Sequence, residues 1–370
     1  MRAETDTMID ITAGATLRPL ELPARADAGP SPLIREYAAV RDACVLEQTG
    51  RDDDARSADD LLPMLYGDDD LQRRQWYMER DGAMIGCAAL NILQDGGATT
   101  AIGTIAVLRA HQSEGVGSAV LRILEDHARS EGVRNLLTFA EHRADDGAED
   151  ALPSPTGMGA VPRDRSARFL MRHGFTLEQV VRVSALTWEA STAGRLDELR
   201  KDAASHSPDY RVVQWMLPTP DEHIDGYAWM KSRMSTDVPD AELDMPVETW
   251  DADRVRRHDA RYAARGASVL VTAAQHARTG ELCAFNELAI RADHSGSTDQ
   301  EDTLVLSEHR GHRLGTLVKT AGLLSWRERF PLSPRVVTYN AEENRPMLSI
   351  NEAIGFTPIA YEGAWKKVLT

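Results

Sequence analysis

Cysteine is scarce in this sequence. Cys44, Cys87 and Cys283 stand far apart, are odd in number and lack metal-ligand spacing. That excludes a disulfide-stapled domain and points to a reducing, cytoplasmic setting with three buried thiols. No apolar run approaches the roughly 20 residues of a membrane-spanning helix. The first residues (MRAETDTMIDIT) have neither the basic start nor the apolar core of a signal peptide, so no leader is expected. Basic excess is absent too: 42 Lys and Arg face 58 Asp and Glu, a formal charge of −16. This argues against a nucleic-acid partner and fits a cationic substrate such as an amine. No Ser-His-Asp arrangement is legible. No His/Cys/Asp/Glu cluster has metal spacing, so no metal is expected.

What remains is an ordinary globular composition, 42% hydrophobic and 27% charged over 370 residues. That length favours two domains, each able to build its own core. The pattern predicts strands over 16–22, 75–79, 83–93, 99–107, 136–140 and 180–188. Helices are predicted over 31–49, 58–66, 118–131 and 166–173. The Asp81-Gly82 pair marks a hairpin turn. Residues 1–15 read as a polar tail, and 142–164, acidic and rich in Gly and Pro, as a loop. After the polar, Ala-rich stretch 191–207 the order starts again. Strands are predicted over 210–217, 268–274, 282–290, 303–306 and 335–339, with a closing strand pair over 356–369. Helices are predicted over 220–234, 247–265, 316–329 and 346–353. We read a duplication: a first domain over 1–190, a linker over 191–209 and a second domain over 210–370. Its unit is too long for a solenoid repeat. Each copy is α/β, with a mixed, mostly antiparallel sheet covered by helices.

The stretch Val305 to Gly315 (VLSEHRGHRLG) organises the second copy. An apolar strand end is followed by a polar turn and then by a helix N-terminus. Unpaired N–H groups and the helix dipole make such a junction an anion site. Val107 to Gly117 (VLRAHQSEGVG) repeats the layout. Gln112 pairs with Arg310, Gly117 with Gly315, and Gly174-Phe175 with Gly355-Phe356.

Both copies resemble GNAT-superfamily acyl-CoA N-acyltransferases. In that family a strand ending in Val leads to Arg/Gln-x-x-Gly-x-Gly/Ala and a helix, and later to an Asn and a short helix ending in Gly-Phe. The first copy has the complete turn in Gln112, Ser113, Glu114, Gly115, Val116 and Gly117. The second departs at Arg313, where the middle glycine is usual; its charge is expected to face a phosphate. The resemblance implies acetyl-CoA as cofactor. Its pyrophosphate is expected on the N–H groups of Arg310, Gly311, His312, Arg313, Leu314 and Gly315, and in the first copy on Gln112 to Gly117 after Val107. The strand edge of Leu304, Val305 and Leu306 would take the pantetheine arm and supply an oxyanion N–H. Asn344 matches the family's downstream asparagine and is expected at both the cofactor and the reacting centre.

Acetyl transfer to an amine needs a base, a polarised carbonyl and a proton for the leaving thiolate. The resemblance implies a carboxylate near the glycine-turn strand; Asp302 is the first candidate and Glu287 the second. The family's acidic Tyr is Asn351 here, which is not an acid, so Tyr339, Tyr361 or water would have to replace it. The first copy has no acid on 101–107 and Leu170 at the Tyr position, and is expected to be catalytically degenerate. The arrangement looks like that of mycothiol synthase and other two-domain acetyltransferases. It implies a cytoplasmic enzyme acetylating a primary amine of a small molecule in a ternary complex, with no nucleic-acid or membrane partner. Two fused copies can mimic a dimer, so a monomer is expected. The alternatives are a mycothiol-synthase-like enzyme, a catalytically silent CoA-binding or sensor protein, and tRNA-dependent aminoacyl transfer.

Overall fold

The computed structural model describes residues 8–143, 150–239 and 241–370. Part of the tail predicted over 1–15 and part of the loop predicted over 142–164 lie outside the described residues. The chain forms two compact units. Residues 8–180, 241–246 and 362–370 build the first; 181–239 and 247–361 build the second.

The first unit opens with β1 (Ile9–Asp10) and β2 (Thr16–Pro19), followed by α1 (Pro32–Thr49) and α2 (Ala58–Leu61). Ser31 caps α1 by accepting the Ile34 N–H at 3.3 Å, Pro32 fills the first helical position, and left-handed Gly50 closes the helix. Next come β3 (Leu71–Arg80), β4 (Ala83–Leu93), β5 (Thr100–Val107), α3 (Val116–Ser130) and β6 (Asn135–Arg143). At the β3–β4 turn Asp81 and Gly82 both have positive φ, 51° and 78°, as a tight hairpin requires. The short hairpin β7 (Ala151–Pro153) and β8 (Ala160–Pro162) occupies ground read as loop. It precedes α4 (Arg165–Arg172) and β9 (Thr176–Thr187). The sheet runs β1-β2-β3-β4-β5-β6, antiparallel except for the parallel β5–β6 pair. Helix α1 packs its Ile34, Tyr37 and Ala38 with Met84 and Cys87 of β4, whereas α3 lies against β4 and β5. Leu243 joins this unit beside Leu137 and Ala364.

In the second unit α5 (Thr192–Ser205) takes most of the segment read as linker and sinks Leu196 into the core. It is followed by β10 (Tyr210–Met216), α6 (Asp221–Asp237), α7 (Ala252–Ala264), β11 (Ser268–His276), β12 (Leu282–Ile290) and β13 (Thr298–Val305). Then come α8 (Leu314–Arg329), β14 (Arg335–Ala341), α9 (Arg345–Ile354) and β15 (Thr357–Val368). The sheet order is β10-β11-β12-β13-β14-β9, with β9 entering through its residues 181–187. Only β13–β14 is parallel. Strand alternation sorts the two faces. Val271, Ala273, Phe285, Leu304 and Leu306 pack with Ile224, Tyr227, Met230 and Val255 of α6 and α7. Leu270, Leu288 and Ile290 face Leu323 and Trp326 of α8 and Ile354 of α9.

Three predicted boundaries move for physical reasons. Helix α7 starts at Ala252 rather than Val247 because Asp251 accepts the Arg254 N–H at 2.8 Å and caps it there. Strand β13 begins at Thr298, five residues before the predicted start, because its polar residues find partners inside the unit. The closing pair over 356–369 is one continuous strand, β15. Gly363 makes no turn in it: a Cβ there would stand 2.6 Å from Nε1 of the buried Trp365. All three cysteines are buried. No helix among the described residues is long and apolar enough to cross a membrane.

Candidate functional site

The two glycine turns follow one backbone track. Leu108 and Leu306 leave their strands at φ/ψ of −53/138° and −53/139°, and Gln112 and Arg310 adopt −82/161° and −68/158°. Ser113 and Gly311 then have φ of 67° and 88°. Gly115 and Arg313, both left-handed, form the N-caps of α3 and α8 without any side-chain capping bond. The first motif residue folds back on its strand in both. Gln112 Nε2 donates to the Val107 carbonyl at 2.7 Å, and Arg310 Nε to the Val305 carbonyl at 3.4 Å. Each turn therefore presents helix N–H groups at an open N-terminus, the geometry of an anion cradle. Gly315 serves packing as well: a Cβ would lie 3.0 Å from Ile350 Cδ1 on α9. Arg313 pairs with Asp202 of α5, so its guanidinium is turned to that carboxylate.

Beside each cradle a parallel strand pair parts. β13 meets β14 only through Thr298–Gln300, although β13 runs on to Val305 and β14 to Ala341. β5 meets β6 only through Thr100–Ile102 and runs on to Val107. On its other edge β13 stays paired with β12 as far as Val305. The expected pantetheine edge, Leu304 to Leu306, thus lies along this splay and leads directly into the cradle.

The second unit adds something the first lacks. The β12–β13 register slips between Asn286 and Leu288, so Glu287 opposes both Glu301 and Asp302. Such a bulge re-aims side chains. Glu287 is buried and accepts a hydrogen bond from the Tyr227 hydroxyl of α6. Lys231, one turn further along α6, lies 2.5 Å from Asp302 Oδ2 and 3.5 Å from each Glu287 oxygen. Its ammonium also sits 4.9 Å from the Trp250 ring. Burial, moderated by Lys231 and reinforced by Asp302, pushes Glu287 up to about 7. Lys231 goes up despite its burial because Asp302 and Glu287 hold its proton. The same desolvation drives His258 of α7 down to about 4, so it is neutral at physiological pH. Sequence reasoning missed Lys231, Tyr227 and the bulge; a polar Glu-Asp pair inside a strand was the available signal.

The two asparagines separate. Asn344 caps α9, its side chain accepting the Met347 N–H at 3.4 Å. Asn351 is buried on α9, where it accepts from Lys319 Nζ at 2.6 Å and donates to Asn340 Oδ1 at 2.7 Å. Tyr339 is exposed. Glu281, Cys283 and His309 bring donor atoms within 4.8 Å of one another, a grouping their spacing hides. Burial pushes the Cys283 thiol up to about 11, and its Sγ donates to the Glu281 carbonyl at 3.3 Å, so we assign no metal to the group.

In the first unit the positions equivalent to Glu287 and Asp302 are Ala89 and Thr104, in regular register with no bulge. Its buried titratable groups lie elsewhere. His142, on β6 rather than in a loop, meets Asp164 at 2.8 Å, and its Nε2 has no partner among the described residues. Glu362 is pushed up to about 8 by burial and by Glu141 and Asp54.

Residues 41–151, within the first unit, match the acetyltransferase (GNAT) family. No curated protein matches the chain. Among solved structures, a tandem GNAT protein from the clavulanic acid biosynthesis pathway is similar over 96% of this chain and 99% of its own. The TM-score is 0.72 and the identity 22%. A GCN5-related N-acetyltransferase from Sphaerobacter thermophilus is similar over 97% of both chains, with TM-score 0.62 and 14% identity. A glucosamine N-acetyltransferase region of a fungal multi-domain β-N-acetylglucosaminidase aligns over 97% of this chain and 38% of that one, with TM-score 0.57 and 13% identity. These likenesses show the fold: two GNAT folds in tandem.

Proposed function

We propose that this tandem of two GNAT folds is an N-acetyltransferase that moves the acetyl group of acetyl-CoA to a primary amine of a small molecule, with the chemistry in the second unit. One observation carries the reading. A cradle, a strand splay and a bulge bearing Glu287 against Asp302 converge in one unit, while the first unit keeps cradle and splay but has Ala89 and Thr104 at the acid positions. The thioester carbonyl would lie along Val305–Leu306, where a backbone N–H stabilises the oxyanion. The acceptor gives its ammonium proton to solvent on entry, the neutral amine attacks directly, and Glu287 takes the surplus proton through water, since the carboxylate itself is buried. Asp302, closer to Lys231 than Glu287 is, serves as the lysine's counterion. The order of the two candidate bases is thereby reversed from the sequence reading. The excess of carboxylates over lysine suits an acceptor that arrives as a cation.

Thiol release from acetyl-CoA with a panel of small amines tests this, the panel including amines of thiol precursors of the kind a mycothiol-synthase-like enzyme would take. Turnover lost in Glu287→Gln supports the reading. Tight acetyl-CoA binding without release for any acceptor would leave a silent CoA-binding protein instead.

A further inference from the structure

The reaction above leaves Lys319 unused. This lysine lies in the second turn of α8, just beyond the cradle, and is fully buried. Its Nζ donates to Asn351 Oδ1 at 2.6 Å and lies 3.4 Å from Met347 Sδ. Burial alone sets its proton affinity, and among the described residues no carboxylate is paired with it. A fully buried, unpaired ammonium is rare and costly.

The partners of Asn351 give it a direction. An ammonium only donates, so the Asn351 amide oxygen must face Lys319 and its NH2 must face the other way. That NH2 donates one hydrogen to Asn340 Oδ1 at 2.7 Å. Asn340 belongs to β14 beyond the point where β14 leaves β13. The chain continues to the last paired residues: Thr338 Oγ1 lies 3.5 Å from Asn340 Oδ1, and Gln300 Nε2 donates to Thr338 Oγ1 at 2.9 Å. Lys319 and Asn351 thus mark the α8–α9 side of the splay, opposite the face that carries Glu287, Tyr227 and Lys231. The groups facing Lys319 from α9 and β14 are uncharged. Arg345 and Glu352 of α9 pair with each other, and Asp202 of the neighbouring α5 pairs with Arg313.

We propose that Lys319 is a positioning residue for the leaving group: its cation fixes and polarises the Asn351 carboxamide, whose second Nδ2 hydrogen then donates to the coenzyme A sulfur as the carbon–sulfur bond breaks. The proposal rests on the acyl-transfer reading. The amine lone pair forms the new C–N bond, the C–S electron pair leaves with sulfur, and the surplus amine proton goes to Glu287. The thiolate is held by the Asn351 N–H and later takes a proton from solvent; Lys319 keeps its own. The device works while Lys319 is charged and fades as pH rises past its value of about 7, to which burial lowers it.

The test is ultraviolet titration of the thiol of bound coenzyme A in wild type and Lys319→Met, both checked by circular dichroism, followed by pH profiles of kcat. The expected result is a bound thiol more acidic than free coenzyme A in wild type, with most of that shift lost in Lys319→Met. kcat should fall by about 10- to 100-fold, less than the roughly 10²- to 10³-fold of a lost oxyanion-type donor because Asn351 itself remains, with KM for acetyl-CoA within about twofold. Asn351→Asp, which keeps Lys319 paired but has no N–H to give the sulfur, should lose the thiol shift as well. Identical thiol titrations in wild type and Lys319→Met, or a full thiol shift retained in Asn351→Asp, overturn the proposal. A lowered thiol value without turnover on any amine overturns the acetyltransferase reading alone; absence of coenzyme A binding overturns both.

Discussion

Arg313 holds in the second unit the backbone position that Gly115 holds in the first: both cap a helix N-terminus in the left-handed region, at φ of 55° and 86°. A side chain in that region costs on the order of 1 kcal/mol. The half-exposed ion pair of Arg313 with Asp202 returns about 0–1 kcal/mol. Arg313→Gly is therefore expected to leave stability within about 1 kcal/mol of wild type. Because the guanidinium faces Asp202, KM for acetyl-CoA should change by less than about threefold. Thermal melts and initial rates check this; a tenfold rise in KM would place the guanidinium on a phosphate after all.

Glu287 and Asp302 share one lysine, which sets opposite expectations for their variants. The folded value of Glu287, about 7, is raised by burial first and then by Asp302. Activity that needs the ionised carboxylate must climb with pH through that value. Glu287→Gln should lower kcat by about 10²- to 10⁴-fold and erase the acid limb. Asp302→Asn removes a like charge and leaves Lys231 wholly to Glu287, so the acid limb should move below 7 while most activity remains. A pH–rate series decides. An acid limb that survives in Glu287→Gln would falsify its role as base.

The duplication and the two glycine turns were legible because they are local. Two glycine turns, each between an apolar strand end and a helical period, are written in consecutive residues. The acid site was only half legible. Glu287 and Asp302 are visible as acids, but their ranking depends on Lys231, which belongs to another element and is found only once α6 covers the sheet. The front half of β13 falls outside the predicted strand because Asp299, Gln300, Glu301 and Asp302 are polar. It is a strand because a bulge and a parallel neighbour give those side chains partners such as Thr338, Tyr262 and Lys231. Asn351 read as a missing acid; its pairing with Lys319 joins two helices and leaves no trace in spacing.

Lys319 also predicts how stability depends on pH. Its folded value of about 7 lies below the ordinary lysine value, so the folded chain binds this proton more weakly than the unfolded chain. The neutral lysine is tolerated above the unfolded value. Below it, stability falls progressively as pH drops through the folded value, where the buried group must charge. Lys319→Met, close in length and without a charge, should therefore melt higher than wild type at pH 6, and the difference should shrink toward pH 10. A gain of roughly 2 kcal/mol corresponds to a few degrees in a chain of this size. Equal melting at both pH values would mean that the ammonium is solvated in the folded state.

The first unit keeps a cradle congruent with the second, so acetyl-CoA should find two sites. Calorimetric titration is expected to show two equivalents, with Gly115→Asp removing one. At Gly115 the φ of 86° disfavours any side chain, and a Cβ would crowd Thr12 Cγ2 at 3.2 Å. An added carboxylate would oppose a phosphate at the same helix N-terminus. Because Ala89 and Thr104 leave this unit without the strand acids, kcat for amine acetylation should stay within about twofold in that variant. Gly315→Asp should do the reverse, removing the other equivalent together with turnover, since a Cβ there already meets Ile350 at 3.0 Å. One equivalent in wild type, abolished by Gly315→Asp and untouched by Gly115→Asp, would show that the first cradle keeps its backbone geometry without its ligand.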